Sequence, residues 1–146
     1  KPLRSAAEIF GVTLVETHIT SLDDVRNVME AIAPDAYDAF FHLGEAKVSA
    51  VADEVVAAAN AARLPTMAHE ESFADRGMLI AYGPSWRLLG RQCASIMKKI
   101  LLGADPAVIP VQIPEQFELV VNLKTAELLG ITFPAEALLR ADRVIR

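Results

Sequence analysis

The stretch Ala46 to Ala68, AKVSAVADEVVAAANAARLPTMA, decides how the chain folds. Val48, Val51, Ala52, Val55, Val56, Ala59 and Ala62 recur at intervals of three and four, which predicts a helix with one apolar face over about 46–63. Leu64 to Ala68 follows through a two-residue turn as a short apolar strand. A helix feeding a strand through a tight turn is half of a strand–helix–strand unit, the connection that parallel strands require.

The same alternation continues outward. Leu3 to Phe10 reads as a helix stopped by Gly11, and Val12 to Glu16, β-branched and apolar, as a buried strand. Ser21-Leu-Asp-Asp24 starts a helix over 22–33 that puts Val25, Val28, Met29 and Ile32 on one face, with Pro34 after its end. Tyr37 to Leu43 reads as a strand, and the polar stretch His69 to Arg76 leads to another at Met78 to Tyr82. Gly83-Pro84 is expected to open a long helix with Trp86, Leu89, Cys93, Met97 and Ile100 as its buried stripe and Gly103 as its stop. Three prolines make Asp105 to Pro114 an extended connector. Phe117 to Val121 reads as a strand, Asn122 as the cap of a short helix ending at Gly130, and Pro134 as the start of another. Strands near 12–16, 38–42, 64–68 and 78–82 should lie parallel in one sheet with helices on both faces, a three-layer α/β/α arrangement.

Composition narrows the function. The chain has 146 residues, of which 53% are hydrophobic, and a net charge of −5. Mean hydropathy is +0.31, and no uncharged apolar run approaches the ~18 residues of a membrane span. The negative charge and scattered Lys and Arg argue against nucleic acid as a partner. A lone cysteine, Cys93, excludes an internal disulfide and a cysteine-based zinc site.

The second half carries a specific series: Gly77 to Ser85 (GMLIAYGPS), Leu89-Gly-Arg91, Lys99 to Pro106 (KILLGADP), Ile109 to Pro114 (IPVQIP), Phe117 to Ala126 (FELVVNLKTA), Leu129 to Pro134 (LGITFP) and Arg140 to Ile145 (RADRVI). In this order the motifs resemble the ABC-transporter substrate-binding family that includes tryptophan- and tyrosine-type solute-binding proteins. The first half matches more loosely, through Ala6-Ala7, Phe10-Gly-Val12 and Thr20 to Val25. The resemblance implies a two-lobed clamshell of the type I periplasmic-binding-protein fold, with ligand between the lobes. It implies that residues 1–104 are the second-lobe core with a crossing helix, and 105–146 the connector and closing strand–helix segment. The N-terminal lobe, and the second lobe's opening strand, would precede Lys1 in the family pattern. The implied partners are a small solute, a transporter permease and that other lobe, at a periplasmic or extracytoplasmic location. Apolar surface left open without it would favour a homo-oligomer.

Ligands of parallel sheets sit beyond the carboxyl ends of the strands. The polar residues there nominate Glu45, Glu70, Glu71, Tyr82, Ser85 and Trp86 as ligand-binding. The N–H groups of Ser85, Trp86 and Arg87 at a helix start would suit a carboxylate. The alternative is that this is a plain helix start with Trp86 in the core. The loop His42-Leu-Gly-Glu45 departs from the family pattern, so the solute is not inherited from the aromatic-amino-acid members. A small metal-dependent enzyme using His18, His42, His69 and a Glu is the competing class. It lacks any paired helical metal motif, so no catalytic residue, metal or cofactor is expected. A ligand-sensing domain of a signalling protein with the same fold is the third reading.

Overall fold

A computed structural model describes residues 2–34 and 36–146; Lys1, from which the sequence reading counts its first domain, and Asp35 lie outside the described residues. Helix α1 (Pro2–Phe10) ends on Gly11, whose φ of +66° occupies the left-handed region that glycine enters without a Cβ penalty. Helix α2 (Leu22–Glu30) begins with a complete capping box. The Ser21 hydroxyl accepts the Asp24 N–H, and the Asp24 carboxylate accepts the N–H groups of Thr20 and Ser21. With the Thr20 hydroxyl as the largest contributor, these bonds hold the Asp24 carboxyl down at about 2.

Strand β1 (Phe40–His42) is followed by α3 (Ala46–Ala50) and α4 (Ala52–Ala61), where the periodicity predicts one helix. The break is Val51, at φ −118° and ψ 31°. Leaving the helical region there places its side chain in the same buried cluster as Val25 and Met29, while Val55, Val56 and Ala59 keep the spacing beyond it. Arg63, at φ 54°, turns the chain, and the Leu64 N–H reaches back to the Ala59 carbonyl at 2.9 Å. Strand β2 (Thr66–Ala68), helix α5 (Glu71–Asp75) and strand β3 (Ile80–Pro84) follow. The stretch from His69 to Arg76 is thus partly helical, with Phe73 and Ala74 buried.

Pro84 does not open the next helix. It is the last residue of β3, opposite Phe117, and α6 (Trp86–Leu101) begins after Ser85. Proline is tolerated there because its missing N–H falls at the end of a strand. A short 3-10 turn at Pro106–Val108 lies in the connector. Strand β4 (Phe117–Asn122), α7 (Leu123–Leu129, capped by Asn122 and ended by Gly130), α8 (Ala135–Leu139) and β5 (Arg143–Ile145) complete the chain. Strand β5 carries too few residues to announce itself in the sequence.

The sheet has five strands in the order β1-β2-β3-β4-β5. All neighbours are parallel except β3 and β4, which run antiparallel over five residue pairs, from Ile80 with Val121 to Pro84 with Phe117. The mostly parallel α/β class is therefore the observed one. The strand expected at 12–16 does not form: residues 12–20 have no regular structure, and Val12 and Val15 are 60% and 59% exposed. A strand needs a neighbour to take its backbone bonds, and β1 ends the sheet with no described residue paired on its outer side. Branched residues suit a pleated surface without supplying its partner.

The main core joins Val25, Met29, Val51, Val55, Val56 and Ala59 to Ala68, Phe73 and Met78. The expected stripe of α6 has no place in it, since no residue of that helix is buried and Cys93 is exposed. Periodicity reports which face is apolar and not what packs against it.

Two outcomes follow. Phe73→Ala, at a side chain only 2% exposed, should lower the unfolding free energy by about 3–5 kcal/mol in urea titration. Asp24 contributes stability fully above its unfolded value near 3.8, and that contribution is lost as pH falls toward 2. Asp24→Asn should flatten that acid limb of the circular-dichroism melting profile.

Candidate functional site

Because β1, β2 and β3 are parallel, their carboxyl ends share one edge, and the residues just beyond them are His42 to Glu45, His69 to Glu71, and Ser85 with Trp86. Two glycines bring these ends into contact. A Cβ on Gly83 would lie 1.6 Å from the His69 carbonyl oxygen, so β3 runs directly against the chain leaving β2. A Cβ on Gly44 would lie 2.6 Å from Nε2 of His69, so the loop after β1 rests on that imidazole. Gly83 lies within β3, where a glycine marks such close approach, whereas Gly44 lies in the loop after β1.

Four of the five buried side-chain atoms without a hydrogen-bond partner among the described residues lie here; the fifth is Oδ1 of Asn60 in α4. His42 is 2% exposed, its ring 4.5 Å from Phe73 and 5.4 Å from the ring of His69. Neither His42 nitrogen, nor Nδ1 of His69, nor Oγ of Ser85 has a hydrogen-bond partner among the described residues. Burial pushes the His42 pKa below the ordinary histidine range, and the charge of His69 adds to it. The Glu45 backbone and carboxylate oppose the shift, the backbone contact falling short of hydrogen-bond geometry.

The nominated residues take different places. Glu45 caps α3, its carboxylate accepting the N–H groups of Lys47 at 2.6 Å and Val48 at 3.2 Å. Burial works to raise its pKa, but those bonds and the Lys47 ammonium outweigh it and hold the carboxyl below its usual range. Glu70 is half-buried at the start of α5 and makes no cap bond. Glu71 is drawn toward Arg143, at 3.9 Å, whose guanidinium also clamps Asp75. Tyr82 is half-exposed and stacks on Phe117, centroids 5.8 Å apart, a partner the sequence reading did not single out. Trp86 is 46% exposed and so is not a core residue.

Ser85 corrects one expectation. It is 2% exposed rather than open, and its N–H is given to the Gln116 carbonyl at 3.0 Å. Its backbone cannot therefore serve a ligand. The first-turn N–H groups of α6, from Trp86 and Arg87, remain the donors that such a helix start offers. Ser85 supplies no cap to them, so its hydroxyl is uncommitted.

The candidate metal set does not assemble. His42 and His69 meet, but His18 lies on the exposed segment before α2, and no group of three or more His, Cys, Asp or Glu among the described residues is placed to hold a metal.

A family model for the ABC transporter substrate binding protein matches residues 1–145. The chain belongs to that family. A conserved domain protein from Vibrio cholerae shares 31% identity with it at a TM-score of 0.90, over 98% of this chain and 48% of that one. An ABC domain from Streptococcus pneumonia, solved in complex with L-Trp, aligns at 24% identity and a TM-score of 0.91 over 99% of this chain and 48% of its own. A substrate binding protein with adhesive properties from Clostridium difficile, ligand-free and open, aligns at 22% identity and a TM-score of 0.70 over 98% and 48%. The last two show the shared periplasmic-binding-protein-type fold. Among curated proteins, none matches the chain. The chain spans about half the length of the solved structures it resembles.

Gly83→Ala tests the edge. The new methyl meets rigid backbone rather than a movable side chain, so the cost should exceed the usual 1–3 kcal/mol or so of overpacking, read by urea denaturation.

Proposed function

We propose that the chain is part of the substrate-binding component of an ABC transporter, taking a small solute outside the membrane and delivering it to a permease for import. The solute class is an amino acid or a related carboxylate. The observation that carries this is the edge where three parallel strands end. It holds a buried, uncommitted Ser85 hydroxyl beside the N-terminus of the 16-residue helix α6. Membership of a substrate-binding family supports it. A carboxylate accepts N–H bonds at such a helix end and is favoured by the positive end of the helix dipole. Half-exposed Tyr82, Phe117 and Trp86 supply apolar surface around it. No covalent step is involved, which sets this reading against the metal-dependent enzyme.

The test has two arms. Small molecules that co-purify with the full-length protein are identified by mass spectrometry; carboxylate-bearing solutes are expected, and a set lacking them rejects the class. The 146-residue chain is then titrated with L-tryptophan and other amino acids by NMR. A clamshell divides its contacts between lobes, and halving the roughly −8.2 kcal/mol of a micromolar complex leaves about millimolar affinity. Micromolar binding by this chain alone contradicts the division. Ser85→Ala should weaken what binding there is about tenfold with stability changed by under about 0.5 kcal/mol, because the hydroxyl it removes has no partner to lose.

The chain's exposed apolar surface bears on its state in isolation. Met97, Leu101, Leu102, Val108, Val111 and Ile113, along α6 and the connector, are all more than half exposed. Self-association through this arm is the expected outcome, measured by light scattering across a wide concentration range; a persistent monomer rejects it. Strand β4 is paired on both sides and offers no edge.

A further inference from the structure

We propose that His42, packed against His69, forms a proton-sensitive latch beneath the strand-end edge, which holds while the buried His42 ring is neutral and loosens the loops at Gly44–Glu45 and Gly83–Ser85 when it charges.

The geometry leaves the buried His42 ring without a hydrogen-bond partner to absorb a proton. His42 is wedged between Phe73 at 4.5 Å and His69 at 5.4 Å, and three of the four ring nitrogens have no hydrogen-bond partner among the described residues. His69 is boxed in turn, its ring by Gly44 and its carbonyl by Gly83. A buried imidazolium is tolerated only with a partner or counter-charge. The charged and titratable groups around His42 provide only partial relief, since the Glu45 carboxylate favours the charged ring but is outweighed by burial. From β2 comes His69, of the same sign when protonated. From α3 come Glu45, whose carboxylate is committed to the Lys47 and Val48 N–H groups, and Lys47, a cation. From α5 come Glu70, and Glu71, which turns to Arg143. None of these carboxylates hydrogen-bonds a buried ring nitrogen.

Charging must therefore be relieved by moving the glycine-packed loops that press on His69. The direction agrees with the lowered His42 pKa. A group held neutral in the packed state contributes stability that is present above the ordinary histidine value of 6.5 and lost as pH falls through its lower packed value. For one proton, the opening equilibrium rises about tenfold per pH unit within that window. Since Glu45 and Ser85 sit on the two loops, acidification would also weaken solute binding there. That last consequence rests on the function proposed above, whereas the opening does not.

The experiment uses the 146-residue chain without solute, followed by NMR from pH 8 to pH 5. Ring signals of His42 and His69 are compared with those of exposed His18. Amide exchange, corrected for its intrinsic pH dependence, is read at Ser49 and Ser85, bonded to Glu45 and Gln116, against Leu64, bonded to Ala59. The expected result is a His42 midpoint below the ordinary histidine value of 6.5, with exchange at Ser49 and Ser85 accelerating about tenfold per pH unit and Leu64 unchanged. His42→Phe, which keeps a ring but not the proton, should flatten the response. The proposal is overturned by a His42 midpoint at or above 6.5, by unchanged exchange at Ser49 and Ser85, or by equal acceleration at Leu64, which would mean global unfolding. Should His42→Phe not fold, His69→Asn with the wild-type titration decides the same point. Failure of solute binding with the latch intact counts against the proposed function alone.

Discussion

The antiparallel pairing of β3 with β4 is the constraint on which the rest depends. Ile80 to Pro84 bonds to β2 on one side in parallel and to Phe117–Val121 on the other in the opposite sense. Without that second ladder, α6 and the connector would be a tail leaving the end of β3, and Ser85 would have no Gln116 carbonyl to hold its backbone. With it, the chain leaves the sheet at Ser85 and returns at Phe117 to a point one strand away. An isolated 16-residue helix is marginal in water. Anchoring both ends of the excursion, with Gln92 bridging to Ile113 and Glu115, supplies what burial does not.

The second constraint is how tightly the strand ends approach. Gly83 against the His69 carbonyl and Gly44 against its ring compress three chain segments into a space that admits no Cβ. Polar atoms of His42, His69 and Ser85 are thereby buried without protein partners at the edge where a ligand of a parallel sheet belongs. Structural ion pairs elsewhere behave differently. Arg26 with Glu54, Arg76 with Asp53 and Arg143 with Asp75 are largely solvent-exposed and fully matched, and they fasten helices and strands without creating unsatisfied groups.

Family membership and fold agree with the motif series from Gly77 to Ile145, and the half-length match to the solved structures is consistent with the open apolar arm. No residue of α6 is buried, so its apolar stripe is surface of the kind that marks an interaction site. At the opposite end, residues 12–20 have strand-like composition, and no described residue pairs with the outer side of β1.

The sequence by itself determined the elements whose causes are local. The helix caps at Ser21 and Asn122, the glycine stops at Gly11 and Gly130, the apolar face from Val48 to Ala62, and the strands at β1, β2, β3 and β4 follow from propensity, capping and spacing within a dozen residues. That the carboxyl ends of β1, β2 and β3 share one edge was legible too, because the strand–helix alternation requires parallel strands. Tertiary structure alone decided what depends on a neighbour. It broke the helix at Val51, denied Val12–Glu16 a strand, left the stripe of α6 uncovered, reversed β4 and recruited Arg143–Ile145 as β5. It also buried Ser85, gave its N–H to Gln116, and set His42 against His69. Periodicity specifies the chemistry of a face; only the packed chain specifies what, if anything, lies against it.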